Sequence, residues 1–127
     1  MHLLLDTSVL IDALRSRKDR RRLLAELVRA GHTLSISALN VAEVYTGVRP
    51  GEEIATESFL SAFNCFDITS KTGRMAGDLR NKWAQKGRTL ALPDTLIAAA
   101  AIENHCVVMT DNRKDFPMPE LNLYPLP

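Results

Sequence analysis

The chain has 127 residues, 46% of them hydrophobic and 24% charged, and its 16 Lys and Arg against 15 Asp and Glu leave a formal net charge of +1. That length holds one domain, spanning residues 1–127, with a core that needs no staples, and the charge balance excludes a disordered polyelectrolyte. No run approaches the roughly 18 apolar residues of a membrane span, and Asp6 and Asp12 interrupt the only opening that could serve as a signal peptide, so the expected location is cytoplasmic with no membrane partner.

His2 to Leu5 is a short run ended by Asp6-Thr7, as expected for a strand buried on both faces of a parallel sheet. Thr7 or Ser8 is placed to cap a helix from Val9 to Leu14. Six of the eight residues from Arg15 to Arg22 are Lys or Arg, which suits either a solvated face or a grip on a polyanion. Leu23, Leu24, Leu27 and Val28 then recur at helical spacing until Ala30-Gly31 stops them.

Thr33 to Ser37 alternates polar and apolar residues and predicts a second strand, with Ser37 capping a helix from Ala38 to about Val48. In that helix Leu39, Val41, Ala42, Val44, Tyr45 and Val48 surround Glu43, and a carboxylate in such company needs a reason. Arg49-Pro50-Gly51 breaks the chain, and the next helix has Ile54, Phe59, Leu60 and Phe63 as its expected inner face. Cys65 to Ile68 is the expected third strand. Cys65 and Cys106 both sit among apolar neighbours and are expected to be buried, reduced thiols.

Thr69-Ser70 caps a long helix that ends at Gly87, with Met75, Leu79 and Trp83 on one face. Pro93 suits the first turn of a helix over 94–104 that begins with Asp94 and continues through Ala98 to Ala101. Cys106 to Met109 is the fourth strand, ending at Thr110-Asp111-Asn112; Arg113 to Phe116 turns, and Leu121 to Tyr124 offers an edge strand.

Strands alternating with helices imply right-handed crossovers and a parallel sheet covered on both faces. Ligands bind such sheets beyond the carboxyl ends of the strands, where strand order reverses. Asp6 and Asp111 both directly follow strands.

Taken singly, the acids are ambiguous. Asp6 suits a helix cap as well as a ligand, and Asp94 at a helix start interacts well with the helix dipole whatever else it does. Glu43 has no basic residue one turn away, only Leu39, Asn40, Thr46 and Gly47, which leaves a distant Arg or a bound cation as its partner. Asp111, Asn112 and Asp115 fall within one turn. Gathered at one sheet edge, such carboxylates would raise each other's pKa unless a cation neutralised them. Oxygen ligands without clustered His or Cys specify Mg²⁺ or Mn²⁺ rather than zinc, and the natural substrate carries phosphates. His2, His32 and His105 are scattered and read as structural.

Four blocks, LLLDTSVLIDAL, SISALNVAEVYTGV, GRTLALPDTLIAAAAI and VVMTDNRKDF, span nearly the whole chain in an order and spacing that resembles the PIN-domain ribonucleases, specifically the VapC-type toxins of VapBC toxin–antitoxin pairs. The resemblance implies a three-layer α/β/α fold with a four- or five-stranded parallel sheet and an acidic pocket that binds Mg²⁺, with Mn²⁺ as the alternative. By the same resemblance Asp6, Glu43 and Asp94 match the family's first three acids, and the hydroxyls of Thr7 or Ser8 stand where the family orients a ligand or water. For the fourth acid Asp115, which precedes Phe116 in the closing motif, is favoured over Asp111, while neutral Asn112 occupies the usual early position.

The implied activity is Mg²⁺-dependent endonucleolytic hydrolysis of RNA to a 5′-phosphate and a 3′-hydroxyl, with Arg15, Arg17, Lys18, Arg20, Arg113 and Lys114 gripping the backbone. The implied partners are the RNA substrate, a second copy in a homodimer, and a cognate VapB-type antitoxin whose tail enters the acidic groove. The rival readings are a non-catalytic PIN-like module that binds RNA or protein, and a phosphoaspartate enzyme. The second is disfavoured because Ser8 stands where a second acid is needed.

Overall fold

The computed structural model describes residues 1–127. β1 (His2–Leu5) lies at the centre of the sheet, and its Leu3, Leu4 and Leu5 are wholly buried. It pairs in parallel with β2 (Thr33–Ser37) on one side and β4 (Val107–Met109) on the other, while β3 (Asn64–Phe66) pairs with the far edge of β2. The strand order is β3-β2-β1-β4. The chain therefore steps outward from β1 to β3 and then crosses back to lay β4 on the opposite side, so that the order reverses between β1 and β4.

Six helices cover this sheet: α1 (Thr7–Leu14), α2 (Arg20–Arg29), α3 (Ala38–Tyr45), α4 (Glu53–Ser61), α5 (Ser70–Gln85) and α6 (Leu92–Glu103). Alternate residues of a strand face opposite sides, and β1 shows the consequence. Leu4 joins Ala76, Leu79, Ile97 and Ala98 to Ala101 in the core beneath α5 and α6, whereas Leu3 and Leu5 join Val9, Leu10, Leu24, Leu27, Val44 and Leu60 beneath the other helices. Three successive leucines buried on both faces are what a three-layer fold requires of its central strand. The expected α/β/α architecture is thus present with four parallel strands. No helix is long and apolar enough to cross a membrane.

Several local expectations are corrected. α1 starts at Thr7, and its cap is Asp6, whose extended backbone and Oδ1, accepting from Thr7 N–H at 2.8 Å, do the work expected of Thr7 or Ser8. α3 stops at Tyr45 instead of Val48, where Thr46 Oγ1 donates back to Glu43 O at 2.6 Å and Gly47 follows. α6 begins two residues before Asp94, with Pro93 in its first turn. α4 buries Thr56 and Leu60, whereas Ile54 is 85% exposed because two residues place it on the opposite side of the helix from Thr56.

β3 covers Asn64–Phe66 instead of reaching Ile68, and as an edge strand it leaves Cys65 exposed; only Cys106 is buried, its thiol pushed up by burial, and both are free. The expected edge strand from Leu121 to Tyr124 shrinks to one parallel bridge between Val108 and Leu123, with Pro125 unable to donate the next ladder bond.

Candidate active site

The crevice at the strand-order reversal is bounded by Asp6, which directly follows β1, and Thr110, which directly follows β4; Asp6 N–H donates to Met109 O at 2.9 Å across the gap. Asp6 is buried, and both of its oxygens are oriented. Oδ1 caps α1, while Oδ2 accepts from Thr110 Oγ1 at 2.7 Å with Ser8 Oγ standing 3.5 Å away. Thr110 is itself fixed by accepting Asn112 N–H at 2.9 Å. The cap and the crevice-facing acid are therefore one residue.

Glu43 comes from the middle of α3, half-buried, with Oε1 accepting from Thr7 Oγ1 at 2.7 Å. Asp94 sits in the first turn of α6, and burial first, then the charges of Asp6, Asp115 and Glu43, push its carboxyl up to about 6. Asp115 ends a 3₁₀ turn (Arg113–Asp115), whose following Phe116 is buried in the core. Four elements thus bring three carboxylates within electrostatic reach of a fourth, Asp94.

None of the four has a basic partner. All seven ion pairs of the chain lie elsewhere. Asp111 takes the other course: its Oδ1 accepts from Arg20 Nη2 at 2.8 Å, and Lys18 Nζ stands 3.5 Å from its Oδ2. The structure therefore groups Asp115 with the unpaired acids and Asp111 with the bases, while Asn112 is exposed between them.

The basic residues divide as well. Arg20 is 3% exposed and turned inward to Asp111, and Arg15 binds Glu52 Oε2 at 2.7 Å and Gly47 O at 3.2 Å, so both are engaged in holding the fold. Arg17, Lys18, Arg113 and Lys114 remain exposed.

Three residues near the acids have a place at the site that the sequence blocks containing them do not reveal. Thr110 holds Asp6, Asn40 donates to Thr7, and Arg88 donates to Lys114 O, one residue before Asp115. Thr110 had a signal, a hydroxyl directly after a buried strand. Asn40 was masked by its helix-capping position, and Arg88 by an ordinary exposed setting.

The donor set is all oxygen, and its charge is uncompensated by any Lys or Arg, which fits a hard divalent cation. The acids surround the crevice without closing on it: nowhere do three His, Cys, Asp or Glu side chains converge into a ready-made cage. An apolar groove of about 600 Å³, lined by Leu24, Val28, His32, Phe59 and Phe63 among others, contains none of these acids.

A family model described as PIN domain matches residues 3–117. Among curated proteins, the chain is 36% identical over 115 residues to Ribonuclease VapC19 of Mycobacterium tuberculosis, covering 91% of this chain and 92% of that one. Among solved structures it is similar to VapBC2 from Rickettsia felis bound to a DNA fragment from their promoter, with TM-score 0.81, 27% identity and 98% of each chain covered. A toxin–antitoxin complex from Klebsiella pneumoniae aligns with TM-score 0.79 and 28% identity over 98% of this chain and 99% of that one.

Proposed function

The chain belongs to the PIN domain family, among relatives of the VapC type, and on that premise we propose that it is a Mg²⁺-dependent endoribonuclease acting as the toxin of a VapBC-type pair. The observation that carries the reading is the set of Asp6, Glu43, Asp94 and Asp115 facing one crevice without a basic partner.

Asp6 and Asp94 would hold Mg²⁺, or Mn²⁺ in its place, from the end of β1 and the start of α6, with Asp115 completing the ring. A bound ion supplies stabilisation of charge on the phosphate oxygens and lowers the pKa of water. Thr110 and the first backbone amide of α1 hold the two Asp6 oxygens in place, which spares the site that reorganisation during the reaction. Glu43 keeps Oε1 engaged with Thr7 and has Oε2 available to help hold the ion or to take a proton from the attacking water. The exposed Arg17, Lys18, Arg113 and Lys114 would grip the RNA backbone, making binding salt-sensitive.

The solved relatives are toxin–antitoxin complexes, which supports a cognate VapB-type antitoxin as partner of this chain. A homodimer and a cytoplasmic location complete the proposal. The test is cleavage of RNA by purified protein with Mg²⁺ or Mn²⁺, with Asp6→Asn inactive. Equal cutting by both proteins would overturn the assignment, and RNA binding without cutting would favour a non-catalytic module.

A further inference from the structure

Asn40 is wholly buried at the third position of α3, and both ends of its amide are engaged. Oδ1 accepts from Ser37 N at 2.7 Å and Ser37 Oγ at 2.8 Å, and Nδ2 donates to Leu5 O at 3.2 Å and Thr7 Oγ1 at 2.9 Å. A backbone N–H only donates and a backbone C=O only accepts, so Ser37 and Leu5 together forbid the flipped amide.

The direction of the next bond follows. Because Nδ2 donates to Thr7 Oγ1, the single hydroxyl proton of Thr7 has to go elsewhere, and the acceptor 2.7 Å away is Glu43 Oε1. Ser37, Asn40, Thr7 and Glu43 thus form one line of hydrogen bonds with a single proton order. At its end, Glu43 has one oxygen capped by a donor that cannot turn away and the other without a partner in the chain.

We propose that Asn40 is a positioning residue for the ribonuclease site: acting through Thr7, it holds the Glu43 carboxylate in the orientation that presents Oε2 to the crevice cation or to the attacking water. The inference rests on the function proposed above. Helix capping alone does not account for Asn40, because the cap uses Oδ1 and Ser37, whereas the two Nδ2 bonds reach across 35 and 33 residues to the β1–α1 junction that also carries Asp6. One amide therefore sets the backbone beside the first acid and the side chain of the second.

Two substitutions separate the cap from the line. Asn40→Asp keeps the oxygen that serves Ser37 and replaces the donor with an acceptor, and Thr7→Val keeps the shape and removes the hydroxyl. Each is measured by kcat and KM on RNA with Mg²⁺, and by the Mn²⁺ concentration that gives half of the rise in melting temperature. Each should lower kcat about 10-fold or more with KM nearly unchanged, and raise the Mn²⁺ midpoint by a similar factor. Thr7→Ser should restore both, and Thr7→Val should add nothing in a Glu43→Gln background. Asn40→Ser, which keeps a capping oxygen and removes both donors, should show the same losses and serves where Asn40→Asp does not fold.

Variants that melt earlier yet keep wild-type kcat and Mn²⁺ midpoint would reduce Asn40 to a helix cap and overturn the proposal, as would a Thr7→Val loss undiminished by Glu43→Gln. A wild-type protein that neither cuts RNA nor responds to Mn²⁺ overturns the function and this inference together; an active wild type matched by Thr7→Val overturns the inference alone.

Discussion

The chain holds two groups of acids and treats them in opposite ways. Around the loop between α1 and α2, Asp111 is met by Arg20 and Lys18, Asp12 by Lys18 at 3.5 Å, and Glu52 by Arg15. In the crevice, Asp6 and Glu43 are met by hydroxyls and a backbone N–H, and neither they nor Asp94 and Asp115 are met by any Lys or Arg. With a net charge of +1 the protein has cations enough for both, so the deficit is local and belongs to the crevice. Neutral donors orient a carboxylate while leaving its charge for something outside the chain.

Asparagine placed in each group should break this symmetry most visibly. Asp94→Asn is expected to lower RNA cleavage by at least about 100-fold, because it removes a charged oxygen from the cation-holding set. Asp111→Asn should leave cleavage by folded protein within a few-fold of wild type. Stability should move the other way: Asp111→Asn removes the counter-charge of the buried Arg20 guanidinium, whose Nε already lacks a partner, at a cost of about 1–3 kcal/mol. Asp94→Asn should stabilise the metal-free protein, since it relieves a half-buried carboxylate facing three others. Urea unfolding in chelator and an RNA cleavage assay give both readings; equal losses of activity from the two variants would dissolve the distinction.

A smaller effect sharpens the same contrast. Mg²⁺ or Mn²⁺ should raise the melting temperature of the wild type, reaching about 2.7 kcal/mol of stabilisation at 100 times the dissociation constant. Asp6→Asn and Asp94→Asn should shrink the response, and Asp111→Asn should preserve it. A melting curve unmoved by saturating metal would count against a dedicated cation site.

What the sequence made legible depended on how far each feature's cause lies along the chain. The run at β1 and the acid behind it are local, and so is the oddity of Glu43 among apolar neighbours; both could be read directly. The rank of Asp115 over Asp111 rested on a motif, while its spatial counterpart is the insertion of Phe116 into the core and the reach of Arg20 from 91 residues away. Arg20 lies in a basic run that reads as solvated, yet its own burial and its ion pair with Asp111 take it out of that class. Cys65 was misplaced because its exposure follows from strand order, and composition carries no trace of which strand stands at the edge. Asn40 was hidden by its capping role, since the bonds that give it a second role reach residues 33 and 35 positions away.

The smallest effect concerns pH and isolates Asp94. Its carboxyl is pushed from 3.8 up to about 6, by burial first and then by the charges of Asp6, Asp115 and Glu43. Between those two values the folded protein binds more protons than the unfolded chain, so this group's contribution to stability is fully present below 3.8 and is lost as pH rises to about 6. After allowance for solvent screening of a half-exposed group, the loss is on the order of 1 kcal/mol. Unfolding of the metal-free protein should therefore show stability falling from about pH 4 toward about pH 6.5 by that amount relative to Asp94→Asn, which lacks the titrating group. Saturating Mg²⁺ should reverse the slope, because the cation competes with the proton for the same oxygens and binds the ionised form. The two acid groups part here as well: Asp111→Asn should retain both the wild-type slope without metal and its reversal with metal, since neither arises from the ion-paired side of the molecule.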